Sequence, residues 1–179
     1  ALGTLLLFLP GLVPVATAFS RAPQPMTEQQ AADASNDFAW DLYRQLAGRQ
    51  GNLFFSPTSI DLALVMTWTG ARDATARDMG SVLRLAGRSP EDPAGVATAY
   101  GSLQNTLARS DAPYTLRIAN RLWGQKGYAF LPGFLGPLDR DFGAGLQELD
   151  FKMDSEGARQ TINTWVEDQT ENKIKDLLQ

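Results

Sequence analysis

Apolar side chains recur every three or four positions along much of this chain, the spacing that places them on one face of a helix. The first such segment runs from Thr27 to Leu46, where Thr27 is a suitable N-cap and Gly48 a suitable stop. Ser56 and Pro57 start a second helix, because the serine hydroxyl can accept a hydrogen bond from a first-turn amide and proline has no amide to leave unpaired. The same spacing predicts further helices over 74–82, 94–107, 132–138 and from 155 onwards.

The second helix differs from the others in being apolar on nearly every face. Its apolar residues run from Ile60 to Trp68, and Gly70 ends it. A helix that is apolar all round is normally buried, so we expect it at the centre of the domain.

Strands are predicted where the apolar period changes to two. Residues 114–123 and 146–151 are predicted as half-buried strands from alternating apolar and polar positions, although Asn120 interrupts the apolar side of the first. The short run Leu53-Phe54-Phe55 is typical of a buried strand. Directly after it, Ser56 and Ser59 place two hydroxyls at a buried helix start, where each unpaired group costs about 1–3 kcal/mol. Capping and local backbone bonding are the simplest way to satisfy them.

Composition narrows the chemistry. The chain has 179 residues, of which 44% are apolar, which is enough to bury a core. Its 16 basic and 20 acidic residues are scattered and give a net charge of -4, so no nucleic-acid surface is predicted. The sequence contains no His and no Cys, which removes disulfides, thiolate nucleophiles, His-based triads and nearly all zinc and copper sites. We therefore expect no metal site, no cofactor and no nucleic-acid partner.

The N-terminal residues bear on localisation. Residues 2–15 form an apolar stretch, broken by Pro10 and Pro14, that ends in the small-x-small pattern Ala16-Thr17-Ala18. This is typical of a signal peptide over residues 1–18, and the stretch is shorter than the roughly 20 residues of a membrane span. We expect a secreted protein, extracellular or periplasmic, with no membrane contact after signal removal.

Two further expectations concern the same end of the chain. Neither a Met nor a basic segment precedes the apolar stretch, so a buried or anchoring segment stays the alternative and truncation at the front is expected. The prolines within residues 19–27 predict an extended, solvated linker before a folded domain over 28–179.

Carboxylates are the remaining candidates for catalysis or metal binding. Glu148, Asp150 and Asp154 could form an acid–base pair, but the simpler interpretation is solvent exposure beside the core. Another acidic group, Glu167, Asp168 and Glu171, lacks the loop spacing of a calcium site and is typical of a solvated helix face. We expect no enzymatic activity.

Two blocks of sequence, 52–60 and 163–174, together resemble the serpin family. The first matches that family's strand-to-helix element at the base of its main sheet, and the second matches the helix that crosses the sheet and the turn that leaves it. The resemblance implies a shutter, a polar cluster where the sheet opens, formed by Phe54, Phe55, Ser56, Pro57 and Ser59. It assigns the crossing helix and its exit turn to Asn163, Trp165, Val166, Thr170, Lys173 and Ile174. Further matches are Asn36, Phe38, Leu42, Gly70, Ala71, Thr75, Leu116, Ile118, Asn120, Asp150 and Phe151.

The resemblance implies an α+β fold: the N-terminal half of a serpin, with a helical cluster packed on strands of a large central sheet. Two departures from the family pattern are Asp73, where Gly is usual, and Asn172, where Gly is common. Asn tolerates left-handed backbone better than most residues, so the second departure is mild.

For function, the resemblance implies a monomeric, secreted suicide inhibitor of a serine or cysteine endopeptidase. Its partner would be the target protease, bound through a reactive loop that this chain does not contain. The alternative is a non-inhibitory carrier, chaperone-like binder or storage protein on the same scaffold. A third possibility, a hydrolase, is disfavoured by the missing His and Cys.

Overall fold

A computed structural model describes residues 24–85 and 92–179 of the chain. The predicted signal peptide and most of the predicted linker lie outside these residues. In the described residues the chain order is α1 Glu28–Leu46, α2 Pro57–Trp68, α3 Asp73–Val82, α4 Pro93–Leu107, β1 Trp123–Gln125, α5 Pro132–Phe142, β2 Gln147–Leu149 and α6 Ser155–Gln169. Each helix predicted from apolar spacing is present, and α5 is one turn longer than predicted.

Helix α1 begins with a capping box. The backbone N–H of Gln30 donates to the Thr27 hydroxyl (3.2 Å), and the backbone N–H of Thr27 donates to the Gln30 side chain (2.9 Å). Met26 and Ala31, one residue before the cap and four after it, are both buried in the core, the positions of a hydrophobic staple. The prediction of a solvated linker up to residue 27 is therefore wrong at Met26, because packing already begins there.

The core lies where α1, α2 and α4 meet. Trp68, at the end of α2, is buried, and its ring N–H donates to the carbonyl of Ala76 in α3 (2.8 Å), which fixes α3 against α2. The buried side chains that the three central helices contribute include Ala31, Ala34, Phe38, Leu62, Val65, Met66, Val96, Ala97 and Tyr100.

Helix α5 is the crossover that makes a parallel sheet possible. Strands β1 and β2 pair in parallel, with Trp123 opposite Gln147 and Gln125 opposite Leu149. Gly143 ends α5 in the left-handed conformation (φ +59°), which a residue without a Cβ adopts at little cost.

Both predicted strands are shorter than their alternating patterns. Residues 114–122 form no regular secondary structure, and β1 begins only at Trp123. A strand requires a hydrogen-bonding neighbour, and within the described residues β1 and β2 pair only with each other. The apolar side of 114–122 is nonetheless used in part, because Ile118 and Leu122 pack against the core.

The prediction of a buried strand at Leu53-Phe54-Phe55 is wrong for the structure described here. No strand forms, Leu53 is 42% exposed, and Phe54 is fully exposed. The apolar pattern was interpreted as burial, but no described element pairs with or covers this run. Helix α2 is likewise buried on one side only, since Ile60 and Leu64 remain more than a third exposed.

Both departures from the family's glycine pattern fall at left-handed backbone. Asp73 has φ +50° and Asn172 has φ +61°. A side chain in this region costs roughly 1–2 kcal/mol, less for Asn and Asp, which explains why Gly suits these positions.

We therefore expect Asn172→Val to lower the free energy of unfolding by about 1–2 kcal/mol, since β-branched residues tolerate positive φ poorly. The protein to use is the complete product of the gene that encodes this chain. Asn172→Gly should be neutral or slightly stabilising. The measurement is denaturant unfolding, with Gln169→Val, at an exposed helical position, as the control. Equal losses for the two valine variants would contradict the backbone explanation.

Candidate functional site

The predicted shutter residues lie around the start of α2. Ser56 is the N-cap, and its hydroxyl accepts a hydrogen bond from the backbone N–H of Ser59 (3.3 Å). Pro57 occupies the first turn, as the cap pattern predicts. Both residues therefore have a local role in starting the helix.

Ser59 has a different role, because its partner is distant in sequence. The Ser59 hydroxyl donates to the side-chain oxygen of Asn120 (3.1 Å), and the Asn120 amide donates to the backbone carbonyl of Ser59 (3.1 Å). These reciprocal bonds, which we call the Ser59–Asn120 clasp, are partly buried and join α2 to the segment 114–122. The structure thus brings together Ser59 and Asn120, and it leaves Ser56 and the exposed Phe54 out of the cluster.

A second polar connection lies on α6, the predicted crossing helix. The side-chain amide of Asn163 donates to the backbone carbonyl of Leu178 (2.9 Å), and the side-chain oxygen accepts from the backbone N–H of Leu178 (2.8 Å). The Arg159 guanidinium donates to the same carbonyl (2.9 Å). Asn163 is buried and so holds the segment after α6 back against the helix.

The exit turn of α6 is organised by Thr170. Its hydroxyl donates to the carbonyl of Val166 (2.7 Å) and accepts from the backbone N–H of Ile174 (3.1 Å). The backbone N–H of Lys173 donates to the Thr170 carbonyl (3.0 Å), whereas the side chains of Lys173 and Ile174 are exposed. The predicted turn is therefore present, and its conformation depends on Thr170 and on the left-handed Asn172.

Trp165 fixes α6 against the sheet. Its ring meets the Trp123 ring of β1 edge to face, with centroids 5.7 Å apart. The Arg121 guanidinium lies 4.9 Å from the Trp165 ring and 5.7 Å from the Trp123 ring, and it also donates to Gln147 of β2 (2.9 Å). Val166 is buried on the same helix. Aromatic pairs and contacts between a guanidinium and a ring contribute about 0.5–1.5 kcal/mol each.

Sequence reasoning missed Arg121 and Trp123, and also the partner of Asn163. Arg121 falls at a polar position of the alternating pattern, and only the Arg-x-Trp spacing beside a tryptophan-bearing helix could have indicated a stacked cluster. Asn163 contacts the backbone of Leu178, so the identity of residue 178 gives no indication of the contact.

The carboxylates considered for catalysis have structural partners. Glu148 accepts from the backbone N–H of Gly127 (3.1 Å), and Asp154 caps α6 through the backbone N–H of Gly157 (2.9 Å). Asp150 accepts from the Gln125 side chain and the Met153 backbone, both at 3.1 Å. The hydrogen bond from Gln125 is the main cause that lowers the pKa of Asp150, so the carboxyl stays ionised. This geometry favours the structural interpretation of the three residues.

An open groove of about 630 Å³ is lined by residues of α6 and of both strands. Asp150, Asp154 and Asp168 lie along it together with Trp123 and Trp165. In the described residues, no group of three or more carboxylates is arranged to hold a metal ion. None of the helices described here is both long and apolar enough to cross a membrane.

Comparison with known proteins gives the family. A sequence model described as Serpin (serine protease inhibitor) matches residues 33–179. The chain belongs to the serpin family. A leukocyte elastase inhibitor of Bos taurus is 41% identical over 152 residues, which are 84% of this chain and 39% of that protein. A serpin-like protein of Thermococcus kodakarensis is 40% identical, over 84% of this chain and 35% of its own length.

Solved structures agree with this assignment. The chain is similar to human thyroxine-binding globulin, at 29% identity and a TM-score of 0.72, over 85% of this chain and 41% of that one. The resemblance found in the sequence and the expected serpin fold are thereby confirmed. The chain spans about two fifths of the length of the curated serpins it matches. The shutter and crossing-helix roles of its residues stay predictions.

The Ser59–Asn120 clasp can be tested by a double-mutant cycle in the complete gene product. Asn120→Ala should lower the free energy of unfolding by about 1–3 kcal/mol, because it leaves the partly buried Ser59 groups without their partner. Ser59→Ala and Asn120→Ala should couple by at least about 0.5 kcal/mol, as contacting residues do. Ser56→Ala is the matched control, since it removes the cap but should be additive with Asn120→Ala. Equal coupling for both serines would contradict the clasp.

The Asn163 connection makes a separate prediction. Asn163→Ala removes two bonds to the Leu178 backbone, so stability should fall by about 1–3 kcal/mol and residues 171–179 should exchange their amide hydrogens faster. Gln160→Ala, on the exposed face of the same helix, is the control. Unchanged exchange at Leu178 in Asn163→Ala would show that the connection does not hold this segment.

Proposed function

We propose that the complete protein containing this chain inhibits a serine or cysteine endopeptidase by the loop-insertion mechanism of its family. The family match is the observation that carries the proposal, and the names of similar proteins, such as leukocyte elastase inhibitor, support it. Since the matched relatives are more than twice as long, we infer that the inhibitory loop belongs to residues of the complete protein outside these 179. The present residues would serve the movement of the sheet and not the contact with the protease.

In this mechanism the protease attacks the loop as a substrate. Its nucleophile adds to the scissile carbonyl, the amine portion leaves, and the loop remains attached to the enzyme as an acyl ester or thioester. The cleaved loop then enters the sheet as a new strand, which releases energy stored in the native fold and distorts the attached protease.

Two features of the described residues support a role in this movement. The Ser59–Asn120 clasp is a small set of neutral hydrogen bonds, which could be broken and remade without separating charges, as a shutter requires. Helix α6 contacts β1 through the edge-to-face rings of Trp165 and Trp123, with the Arg121 guanidinium beside both rings. Both connections would have to yield while the sheet opens.

The uncovered apolar side chains support packing against further parts of a serpin. Phe54 is fully exposed, and other large apolar side chains are at least about 40% exposed, among them Leu53, Tyr114, Leu116 and Ile174. A folded protein rarely leaves such a set in contact with water. Since the matched relatives are more than twice as long, we infer that residues corresponding to their additional length cover these exposed apolar side chains in the complete protein.

The inhibition test uses the complete reading frame, expressed and incubated with an elastase-like serine protease, with trypsin and with a papain-like cysteine protease. We expect loss of protease activity at near-equimolar ratio and a covalent adduct that survives SDS. Asn120→Ala should change the ratio of adduct to cleaved inhibitor, whereas Ser56→Ala, which removes the helix cap but none of the clasp bonds, should not. Cleavage of the loop by every protease without any adduct would overturn inhibition.

The alternative is a non-inhibitory binding protein. The similarity to thyroxine-binding globulin, whose name describes a protein that binds a small molecule, favours it. A non-inhibitory member would be cleaved without trapping the protease, so it would yield cleaved protein and no covalent adduct. The yield of SDS-stable adduct per cleaved molecule therefore separates the two functions.

Export is part of the proposal and is supported by the pattern of residues 1–18 alone. The similar leukocyte elastase inhibitors and serpin B6 do not support secretion. The N-terminal residue of the protein recovered from its native host decides between the two, with Phe19 expected after signal removal.

A further inference from the structure

Asp61 is a carboxylic acid placed in the centre of the helical core. It lies on α2, its exposed fraction is 0%, and its sequence neighbour Leu62 is equally buried. Neither carboxylate oxygen has a hydrogen bond of ordinary geometry. Burying an ionised carboxylate without a cation is costly, so the location favours the protonated form.

The groups that face Asp61 come from the helices packed against α2. Helix α1 contributes the Ser35 hydroxyl, and α4 contributes the Tyr100 hydroxyl, the only titratable group that acts on Asp61 from these two helices. The charged residues of α3, which are Asp73, Arg77 and Asp78, are exposed and do not act on it. Desolvation raises the pKa of Asp61 to about 6, and the two hydroxyls oppose the rise without cancelling it.

Asp41, on α1, shows what a compensated carboxylate looks like in the same protein. It is paired with Arg84 and Arg44, and the Arg84 hydrogen bond holds its pKa below the usual range. Asp61 has only neutral hydroxyls. Its charge is therefore opposed by the fold, whereas that of Asp41 is supported.

We propose that Asp61 is a pH-sensitive switch in α2: ionisation of its buried carboxyl loosens the packing of α2 against α1 and α4, and with it the anchoring of the Ser59–Asn120 clasp. The connection is direct, because Ser59 lies two residues before Asp61 on the same helix. Movement of α2 to hydrate the carboxylate must move the backbone carbonyl of Ser59, to which Asn120 donates. The switch concerns the fold, so it does not depend on whether the protein inhibits a protease.

The direction of the effect follows from the two protonation states. The folded protein binds the Asp61 proton more tightly than the unfolded chain, whose Asp has a pKa near 3.8. Stability contributed by the neutral carboxyl is therefore lost as the pH rises from about 4 to about 6, and the loss persists at higher pH. Over this range the folding equilibrium constant should fall by one to two orders of magnitude.

The experiment compares melting temperatures of the complete gene product from pH 4 to pH 7.5 with those of Asp61→Asn. The variant keeps the shape of the side chain and cannot ionise, so it should melt several degrees higher at pH 7.5 and nearly level with the wild type at pH 4. Asp78→Asn, which removes an exposed charge on α3, is the matched control and should follow the wild-type profile. A gap between Asp61→Asn and wild type that does not change with pH would overturn the proposal.

A second variant keeps the proposal testable if Asp61→Asn folds poorly. Tyr100→Phe removes a hydroxyl that favours the charged form, so the pH at which stability declines should move upward relative to wild type. An unchanged or lower midpoint would overturn the assignment to Asp61.

Hydrogen exchange tests the link to the clasp. At pH 7.5 the amides of α2 and of residues 116–122 should exchange faster in wild type than in Asp61→Asn, and at pH 4 the two proteins should exchange alike. Faster exchange in α2 alone, without residues 116–122, would limit the switch to the helix and overturn its connection to Asn120.

Discussion

Helix α4 approaches α5 so closely at Gly101 that a side chain cannot be accommodated, and the placement of the C-terminal half of the described chain depends on this contact. A Cβ at position 101 would overlap the backbone carbonyl of Asp141. Because the obstacle is backbone, no change of rotamer could relieve it. Helix α5 connects β1 to β2, so its distance from α4 sets where the parallel pair lies relative to the helical core. Helix α6 is then positioned on that pair through Trp123 and Trp165.

The two halves of this arrangement are connected by polar contacts of different kinds. The helical core is joined to the segment 114–122 by the neutral, reciprocal bonds of the Ser59–Asn120 clasp. The sheet is joined to α6 by a guanidinium stacked on two indole rings. Apolar packing adds to the first connection, because Ile118 and Leu122 of the same segment pack against the core. Relative displacement of the layers therefore costs these apolar contacts as well as a few hydrogen bonds and ring contacts, and the proposed opening of the sheet would have to offset that cost.

Local signals in the sequence predicted the helices well, because each helix contains the information for its own formation. Thr27 and Ser56 cap the helices they were expected to cap, and apolar spacing placed the helix bodies. Strands were predicted less well, since Leu53 to Phe55 and 114–122 can become strands only beside a neighbour that the described residues do not supply. Family resemblance named Ser59 and Asn120 separately, and their pairing across 61 positions required coordinates.

The burial of Asp61 was not predicted, for a related reason. In a helix that is apolar on nearly every face, one acidic residue does not alter the pattern that predicts burial. The structure shows that burial extends to the acid itself. Local sequence and tertiary structure usually agree in natural proteins, and disagreements concentrate where function or strain is present. Here the disagreement is the buried Asp61, which lies two residues after Ser59 of the clasp on α2. The N-terminus of the same helix is capped by Ser56. Helix α2 is thus well formed at its start and destabilised farther along by the Asp61 charge, whose energetic cost varies with pH. The resistance of the clasp to opening therefore depends on the protonation of Asp61 as well as on the clasp's own hydrogen bonds.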